Sequence, residues 1–146
     1  MPMRLITRTL FLLSILSLSL FIKSFEIREG VLRTPEDRFQ NLEGYSFEAN
    51  YMMIDGLRIH YLDEGPKDAE PIVLFHGEPT WSYLFRKMIP VFKEAGYRVV
   101  VPDMVGFGKS DKFESKYEYS YEHHIEVMKE LVERLDLKNA THFGQD

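Results

Sequence analysis

Cysteine is absent from the 146-residue sequence, and a basic surface is lacking as well. Without cysteine the chain has no disulfides, no catalytic thiolate and no cysteine-based zinc or iron–sulfur site. The formal net charge is −5, and the lysine and arginine residues form no stripe, which argues against a nucleic-acid partner. Because 45% of the residues are apolar and 14% are aromatic, the chain can bury a core, and intrinsic disorder is excluded.

The hydrophobic run near the N-terminus is short. Arg4 and Arg8 precede the uncharged stretch Thr9–Ile22, which would span ~21 Å as a helix, less than the ~30 Å hydrocarbon core of a bilayer. A basic segment followed by a short apolar segment is typical of a secretory signal. We therefore predict that residues 1–24 are a signal peptide or an uncleaved membrane anchor, with membrane contact through residues 9–22. The protein would then be exported (periplasmic or secreted) or membrane-anchored; a cytoplasmic protein with an amphipathic extension is the alternative.

Strand and helix patterns alternate along the rest of the sequence. Asp55-Gly56 separates two alternating apolar runs and predicts a β-hairpin. Pro90 should interrupt the helical pattern that Gly96 ends, and Ser120 is placed as the N-cap of a later helix. The predicted elements, in order, are the hairpin strands Tyr51–Ile54 and Leu57–Leu62, a buried strand from Ile72 to Phe75, a helical segment with the apolar stripe Leu84, Met88, Val91 and Ala95, the buried strand Arg98–Val101, the helix Tyr121–Leu135 and the strand Asn139–Phe143. This order predicts an α/β fold.

The first buried strand, which begins at Ile72, ends abruptly in a turn at His76-Gly77. Thr80 is a candidate N-cap for a helix that follows. A buried strand, a glycine turn and a helix start bring backbone N–H groups to the carboxyl edge of a sheet, where open α/β sheets bind ligands. His60, by its place in the alternating hairpin strand, is predicted to be a surface residue.

Two candidate ligand sites are excluded by their spacing. The segment Asp103–Ser110 ends in Gly-Lys-Ser, but a phosphate-binding P-loop needs glycine where this chain has Asp103. A dinucleotide-binding G-x-G-x-x-G pattern fails because Asp111 occupies its third glycine position. His123 and His124 are neighbours on the predicted helix, so they point about 100° apart and cannot chelate one metal ion from a single face. No metal site is predicted.

The final residues, Gly144-Gln145-Asp146, place a carboxylate where a nucleophile elbow, G-x-Nu-x-G, carries its attacking residue. By itself G-x-D is a weak signal. Its position, at the end of a strand that follows the His76-Gly77 turn through a helix, a strand and a second helix, makes it informative.

From Leu32 to Asp146 the sequence resembles the haloalkane dehalogenases of the α/β-hydrolase superfamily, in particular the branch that acts on short dihaloalkanes. The segments that carry the resemblance are Leu32–Phe39, His76-Gly-Glu-Pro-Thr-Trp-Ser-Tyr-Leu84, Arg86–Phe92, Pro102-Asp103, Gly106-Phe-Gly-Lys-Ser-Asp-Lys112, Glu133–Leu137 and Gln145-Asp146. So many matching segments in the same order are highly specific.

The resemblance implies a mechanism. Asp146 would attack an sp³ carbon and expel halide, leaving an alkyl ester that water then hydrolyses. The backbone N–H of Glu78 would stabilise the oxyanion of the second step, with Gly77 allowing a close approach. The implied partners are a haloalkane substrate, water and halide, without a metal or organic cofactor, and the complete form would be a monomer.

In that family, the general-base histidine, its carboxylate partner, the halide-binding groups and the helical cap all follow the position of Asp146. We therefore expect residues 25–146 to be the N-terminal part of an α/β-hydrolase domain, truncated after the nucleophile-elbow strand, without a cap domain and inactive by itself. An epoxide hydrolase, which shares the aspartate nucleophile, is one alternative, and a non-catalytic membrane-tethered fragment is another. The Glu78–Trp81 run favours the dehalogenase.

Overall fold

The computed structural model describes residues 27–146. The predicted signal peptide or anchor, residues 1–24, lies outside the described residues. Within the described range the chain forms the strands β1 (Val31–Leu32), β2 (Asn50–Ile54), β3 (Leu57–Glu64), β4 (Pro71–Phe75), β5 (Arg98–Pro102), β6 (Lys112–Phe113) and β7 (Thr141–Gly144), the helices α1 (Met88–Glu94) and α2 (Tyr121–Arg134), and 3₁₀ helices at Glu36–Phe39, Ser82–Phe85 and Lys116–Glu118.

Five of the strands form one mixed sheet in the order β2-β3-β5-β4-β7, and β1 pairs with β6 beside it. The β2–β3 and β3–β5 pairs are antiparallel, whereas β4 is parallel to both β5 and β7. Because β4, β5 and β7 are parallel, their carboxyl ends meet at one edge of the sheet. The predicted α/β layout is confirmed.

The sheet is covered on both faces, which explains the apolar sequences of its central strands. On one face, the α1 side chain Ile89 and the nearby Phe85 pack against Leu62, Leu74 and Val101. On the other face, α2 packs Val127, Met128 and Leu131 against the hairpin residues Ile54, Leu57 and Ile59. The prediction that the Ile72 strand is buried on both faces is confirmed.

The β2–β3 hairpin has the predicted register, with Ile54 opposite Leu57 across the turn. Asp55 and Gly56 have φ values of 48° and 71°, the left-handed region that a tight two-residue hairpin turn requires. His60, however, is not the surface residue that alternation predicted, because it is completely buried. Since β3 lies between β2 and β5 and both of its faces are covered, alternation along this strand does not separate buried from exposed positions.

The predicted stripe on the first helical segment is wrong. Leu84 and Val91 are exposed, and Phe85 and Ile89 are buried instead. The segment begins as a 3₁₀ helix and becomes α-helical only at Met88, so one uniform helical period does not describe it.

The sequence also predicted the N-cap of that segment and its C-terminal end. The first prediction is wrong and the second is confirmed. Thr80 does not cap it, because the 3₁₀ helix begins at Ser82 after an extended Trp81 without a side-chain cap. The end at Gly96 is confirmed: its φ is 90°, and Tyr97 N–H donates to Phe92 O at 3.1 Å, as in a Schellman motif.

Helix α2 agrees with its prediction, and the Ser120 side chain accepts a hydrogen bond from His123 N–H at its start. Of the apolar residues on this helix, Met128 and Leu131 are buried, but Ile125 is half exposed. The reason is that Ile125 faces an open cleft rather than the sheet. No helix within residues 27–146 is long and apolar enough to cross a membrane.

Candidate active site

An open cleft of about 810 Å³ lies at the carboxyl edge of the parallel strands. Its walls are the turn His76–Glu78 after β4, loop residues that follow β5, the α2 side chains around His124 and Ile125, and the segment Gln145-Asp146 after β7. The lining is largely aromatic and aliphatic, and it includes the polar residues His76, Glu78, His124, Gln145 and Asp146. Concave, mainly apolar sites of this kind are where small ligands bind.

The two residues proposed from the sequence, Glu78 and Asp146, lie on the same side of this cleft. They are brought together by the parallel pairing of β4 with β7, which ends with Phe75 opposite Gly144. Gln145 N–H then donates to Phe75 O at 3.1 Å and continues the pairing by one residue.

Gly77 makes direct backbone contact with this second segment. A Cβ atom at Gly77 would lie 2.5 Å from Asp146 Cα and 2.8 Å from its carbonyl carbon. No side chain fits there, because both obstacles are backbone atoms. The turn after β4 and the Asp146 segment are therefore packed backbone against backbone.

His76, whose side chain the sequence reasoning left without a role, lines the cleft with both of its ring nitrogens in hydrogen bonds. Met104 N–H donates to its Nε2 at 3.0 Å, and its Nδ1 lies 3.0 Å from Gly77 O. Because Nε2 accepts a hydrogen bond and a carbonyl can only accept, the ring is the neutral Nδ1–H tautomer. Burial lowers the pKa of His76 from its ordinary value, which agrees with a neutral ring.

The far end of the turn is tied down by Thr80 and Ser82. Thr80 donates twice to Gly77 O, from its N–H at 3.0 Å and from Oγ1 at 2.7 Å. Ser82 N–H donates to Asp103 Oδ1 at 2.7 Å. The Glu78–Pro79 peptide bond between these anchors is cis.

Asp103, which directly follows β5, is buried beneath the turn. We call it a hub because its carboxylate accepts hydrogen bonds from several segments. Its Oδ2 accepts from His60 Nδ1 and from Lys109 N–H, both at 2.8 Å. Burial alone would raise the pKa of Asp103, but these donors and Ser82 N–H outweigh it and hold that pKa below its ordinary value. Sequence reasoning missed this hub, although a carboxylate at the carboxyl end of a buried strand was a usable signal for it.

The loop after β5 is shaped to this carboxylate. Gly108, with φ 47°, would bring a Cβ atom to 2.5 Å from Asp103 Cγ. Ser110 Oγ donates to Asp103 O at 2.6 Å and accepts from His60 N–H at 2.8 Å. The Gly108-Lys109-Ser110 sequence, which resembles the end of a phosphate-binding loop, therefore surrounds Asp103 instead.

Of the three remaining histidines, only His124 lines the cleft. His123 Nε2 is 3.3 Å from Asp55 Oδ2, outside the cleft lining, whereas His124 lines the cleft, and burial lowers its pKa. His142 is exposed on β7 and its ring lies edge-on to Phe75. Among residues 27–146, no group of three or more ligand side chains is placed to hold a metal ion.

The chain is similar to known hydrolases over most of its described length. The sequence pattern of the alpha/beta hydrolase fold family matches residues 70–146. A haloalkane dehalogenase from Psychrobacter cryohalolentis K5 is 52% identical over 121 residues, which are 80% of this chain and 40% of that protein.

Two solved structures are also similar to this chain, one at higher and one at lower sequence identity. The tetrameric structure of the haloalkane dehalogenase DpaA from Paraglaciecola agarilytica NO2 matches with a TM-score of 0.76 and 50% identity, covering 80% of this chain and 40% of that one. Epoxide hydrolase A from Mycobacterium thermoresistibile matches with a TM-score of 0.63 and 27% identity, over 69% of this chain and 32% of that one.

These matches agree with the mixed sheet and the two helices of the structure. The chain spans about 40% of the length of the dehalogenases that it matches. It belongs to the alpha/beta hydrolase fold family and is a homologue of the haloalkane dehalogenases, corresponding to their N-terminal portion.

Proposed function

We propose that the protein acts in the hydrolytic dehalogenation of short haloalkanes to an alcohol and a halide ion. Asp146 is the nucleophile, and the backbone N–H of Glu78 is one donor of the oxyanion hole. The observation that supports the proposal is the packing of Gly77 against the Asp146 backbone, in a cleft that both Glu78 and Asp146 line.

In the first step a carboxylate oxygen of Asp146 forms a bond to the carbon that bears the halogen. The carbon–halogen bond breaks, its electron pair leaves with the halide, and an alkyl ester remains on Asp146. No oxyanion develops in this displacement, because the carboxylate starts negative and ends as a neutral ester. The step needs an ionised, correctly placed Asp146.

In the second step water attacks the carbonyl carbon of the ester and loses a proton to a general base. The carbonyl oxygen becomes an oxyanion, which needs N–H donors held in place beforehand. Among the described residues, the Glu78 N–H donates to no protein acceptor, so it is available for this role. Collapse of the intermediate breaks the ester bond, releases the alcohol and regenerates the Asp146 carboxylate.

The test is halide release from a short bromoalkane by the protein expressed from its complete reading frame. We expect release in the parent protein and none in Asp146→Asn, because a neutral amide is a far weaker nucleophile toward carbon. Mass spectrometry of the quenched parent protein should show the alkyl group on Asp146. Halide release at the parent rate by Asp146→Asn would refute the assignment.

An epoxide hydrolase is the second candidate, because it shares the fold and an aspartate nucleophile. The higher identity to dehalogenases, 52% against 27%, favours dehalogenation. Assaying a short terminal epoxide beside the bromoalkane separates the two. Diol formation without halide release would reverse the order of the candidates.

We also propose that the active protein is a monomer, exported or held at a membrane through its N-terminal segment, residues 9–22. Sedimentation velocity measures the first point, with a tetramer, as in the DpaA structure, as the contrary result. The four groups that follow Asp146 in the resemblance, namely the general base, its carboxylate partner, the halide-binding groups and the cap, are proposed to complete the site of the active protein.

A further inference from the structure

The carbonyl of Gly77 is fixed by three donors. His76 Nδ1 lies 3.0 Å from the oxygen, Thr80 N–H donates at 3.0 Å and Thr80 Oγ1 donates at 2.7 Å. A carbonyl oxygen has two lone pairs, so its acceptor capacity is fully used. Its direction is therefore set by the surrounding side chains and not by the backbone alone.

That direction also determines where the next N–H points. The Gly77–Glu78 peptide is trans, since Glu78–Pro79 is the cis bond among the described residues. In a planar trans peptide the C=O and the following N–H point in opposite directions. Fixing the Gly77 carbonyl against Thr80 and the His76 ring therefore turns the Glu78 N–H away from them, where it meets no protein acceptor within residues 27–146.

The tautomer of His76 is in turn imposed by the neighbouring loop. Met104 N–H donates to Nε2 at 3.0 Å, so the ring proton must reside on Nδ1, where it can reach Gly77 O. The ring is held between these two backbone groups and the Phe107 ring, whose centroid is 5.3 Å away. The loop after β5 is thus joined to the turn after β4 through the His76 ring.

We propose, resting on the function proposed above, that His76 is a positioning residue which aims the Glu78 N–H at the oxyanion of the ester-hydrolysis step. Both ring nitrogens are engaged by backbone groups, so neither is free to act on the haloalkane. Its Nδ1–H holds the Gly77 carbonyl, and the shared peptide plane transmits that constraint to the Glu78 N–H. Because no oxyanion forms during the displacement of halide, His76 affects the second step and leaves the first unchanged.

Two substitutions separate the two hydrogen bonds of the ring. His76→Asn places an amide N–H near the position of Nδ1 and keeps the bond to Gly77 O. His76→Gln places its amide near the position of Nε2, so it can accept from Met104 N–H but cannot reach Gly77 O. His142→Gln, on the exposed strand β7, is the matched control for loss of a histidine.

The experiment follows the alkyl ester on Asp146 by quenched mass spectrometry during one turnover of a short bromoalkane. In His76→Gln we expect ester hydrolysis to slow by on the order of 10², the loss measured when one oxyanion donor is removed, while ester formation stays within about twofold. His76→Asn should recover most of the hydrolysis rate. Equal slowing of both steps, or equal loss in the Asn and Gln variants, would overturn the proposal.

A second measurement does not depend on activity. Long-range ¹⁵N–¹H NMR spectra of the histidine-labelled full chain should show the Nδ1–H tautomer for His76 at neutral pH. The Glu78 amide resonance should move in His76→Gln and return toward the parent position in His76→Asn. If the parent protein forms no ester, the proposed function fails while these spectra still decide the role of His76; an Nε2–H tautomer or an unmoved Glu78 amide would refute it.

Discussion

Ser82 N–H donates to Asp103 Oδ1 at 2.7 Å, with both residues completely buried. This bond joins the end of the His76–Ser82 turn to the residue that follows β5. The next residue, Met104, holds the other end of the same turn through His76 Nε2. Two consecutive residues of one loop therefore bracket the segment that carries the Glu78 N–H.

Removing the Asp103 carboxylate should destabilise the fold strongly. Asp103→Ala leaves His60 Nδ1, Ser82 N–H and Lys109 N–H without their acceptor in a buried site. Breaking a buried pair of this kind costs about 3–5 kcal/mol, which urea unfolding would measure. Glu133→Gln, which breaks the exposed Lys129–Glu133 pair on α2, is the control and should cost less than about 0.5 kcal/mol. A loss below about 1 kcal/mol in Asp103→Ala, on the scale of an ordinary hydrogen bond, would contradict the role of a hub.

A methyl group at Gly77 should disrupt the site. In Gly77→Ala the new Cβ would lie 2.5 Å from Asp146 Cα, so the turn or the Asp146 segment must move. We expect destabilisation of about 1–3 kcal/mol from the overpacking and a fall in halide release of at least roughly 10², because ångström-scale misplacement has that effect.

The control for Gly77→Ala is Gly96→Ala. Gly96 has φ 90°, and a Cβ atom added to it would meet no other atom of residues 27–146 within 4 Å, so this change strains the end of α1 without reaching the cleft. It should lower stability by about 1–2 kcal/mol, the cost of a left-handed backbone for a residue with a Cβ, and leave halide release unchanged. Similar activity in the two variants would mean that the Gly77 contact is not needed.

The free energy of unfolding should depend on pH partly because of His76. Burial lowers its folded-state pKa below the ordinary 6.5, so the unfolded chain binds a proton that the folded chain does not. Stability should therefore be complete above about pH 6.5 and fall as the pH drops from there toward the folded-state pKa. Asp103 on the loop after β5 opposes this by favouring the charged ring, and the half-buried His124 on α2 contributes a loss of the same sign.

Urea unfolding between about pH 5 and pH 7.5, the range in which histidine titrates, checks this expectation. His76→Gln should flatten part of the slope in this window, and His124→Gln should flatten a further part. Stability in the parent protein that rises as the pH falls through this window would show that the histidines gain protons on folding, contrary to their burial.

A further prediction concerns the N-terminal segment. A reporter enzyme fused after residue 30 should be found outside the cytoplasm or in the membrane fraction, because Arg4 and Arg8 precede an uncharged run. Replacing two leucines of that run by aspartate is the control and should retain the reporter in the cytoplasm. A parent fusion that remains soluble in the cytoplasm would exclude both the signal peptide and the anchor.

The sequence predicted the order of strands and helices because each element has a local cause: the Asp55-Gly56 turn, the apolar run after Pro71 and the Ser120 cap. It also predicted that the His76-Gly77 turn and Asp146 each follow a strand of the same α/β fold. Burial at His60 was not predictable from alternation, since it depends on the long-range pairing of β3 with β5.

The same limit applies to the hub and to the first helical stripe. Asp103 acquires its role from donors on three separate segments, at His60, Ser82 and Lys109. The first helical segment changes from 3₁₀ geometry at Ser82–Phe85 to α geometry at Met88, and its buried residues are set by packing against the sheet. Neither property follows from the spacing of apolar residues along the chain, so neither can be predicted from a short stretch of sequence.

The pairing of β4 with β7 has a consequence for how the protein folds. Ile72 lies opposite Thr141, roughly 70 positions away, whereas the hairpin pairs neighbours, and such distant pairing requires a large loop to close first. During synthesis the His76 turn leaves the ribosome well before Asp146 exists. We therefore expect the hairpin and the β4–β5 pair to form early, and the juxtaposition of Gly77 with Asp146 to be among the last events of folding.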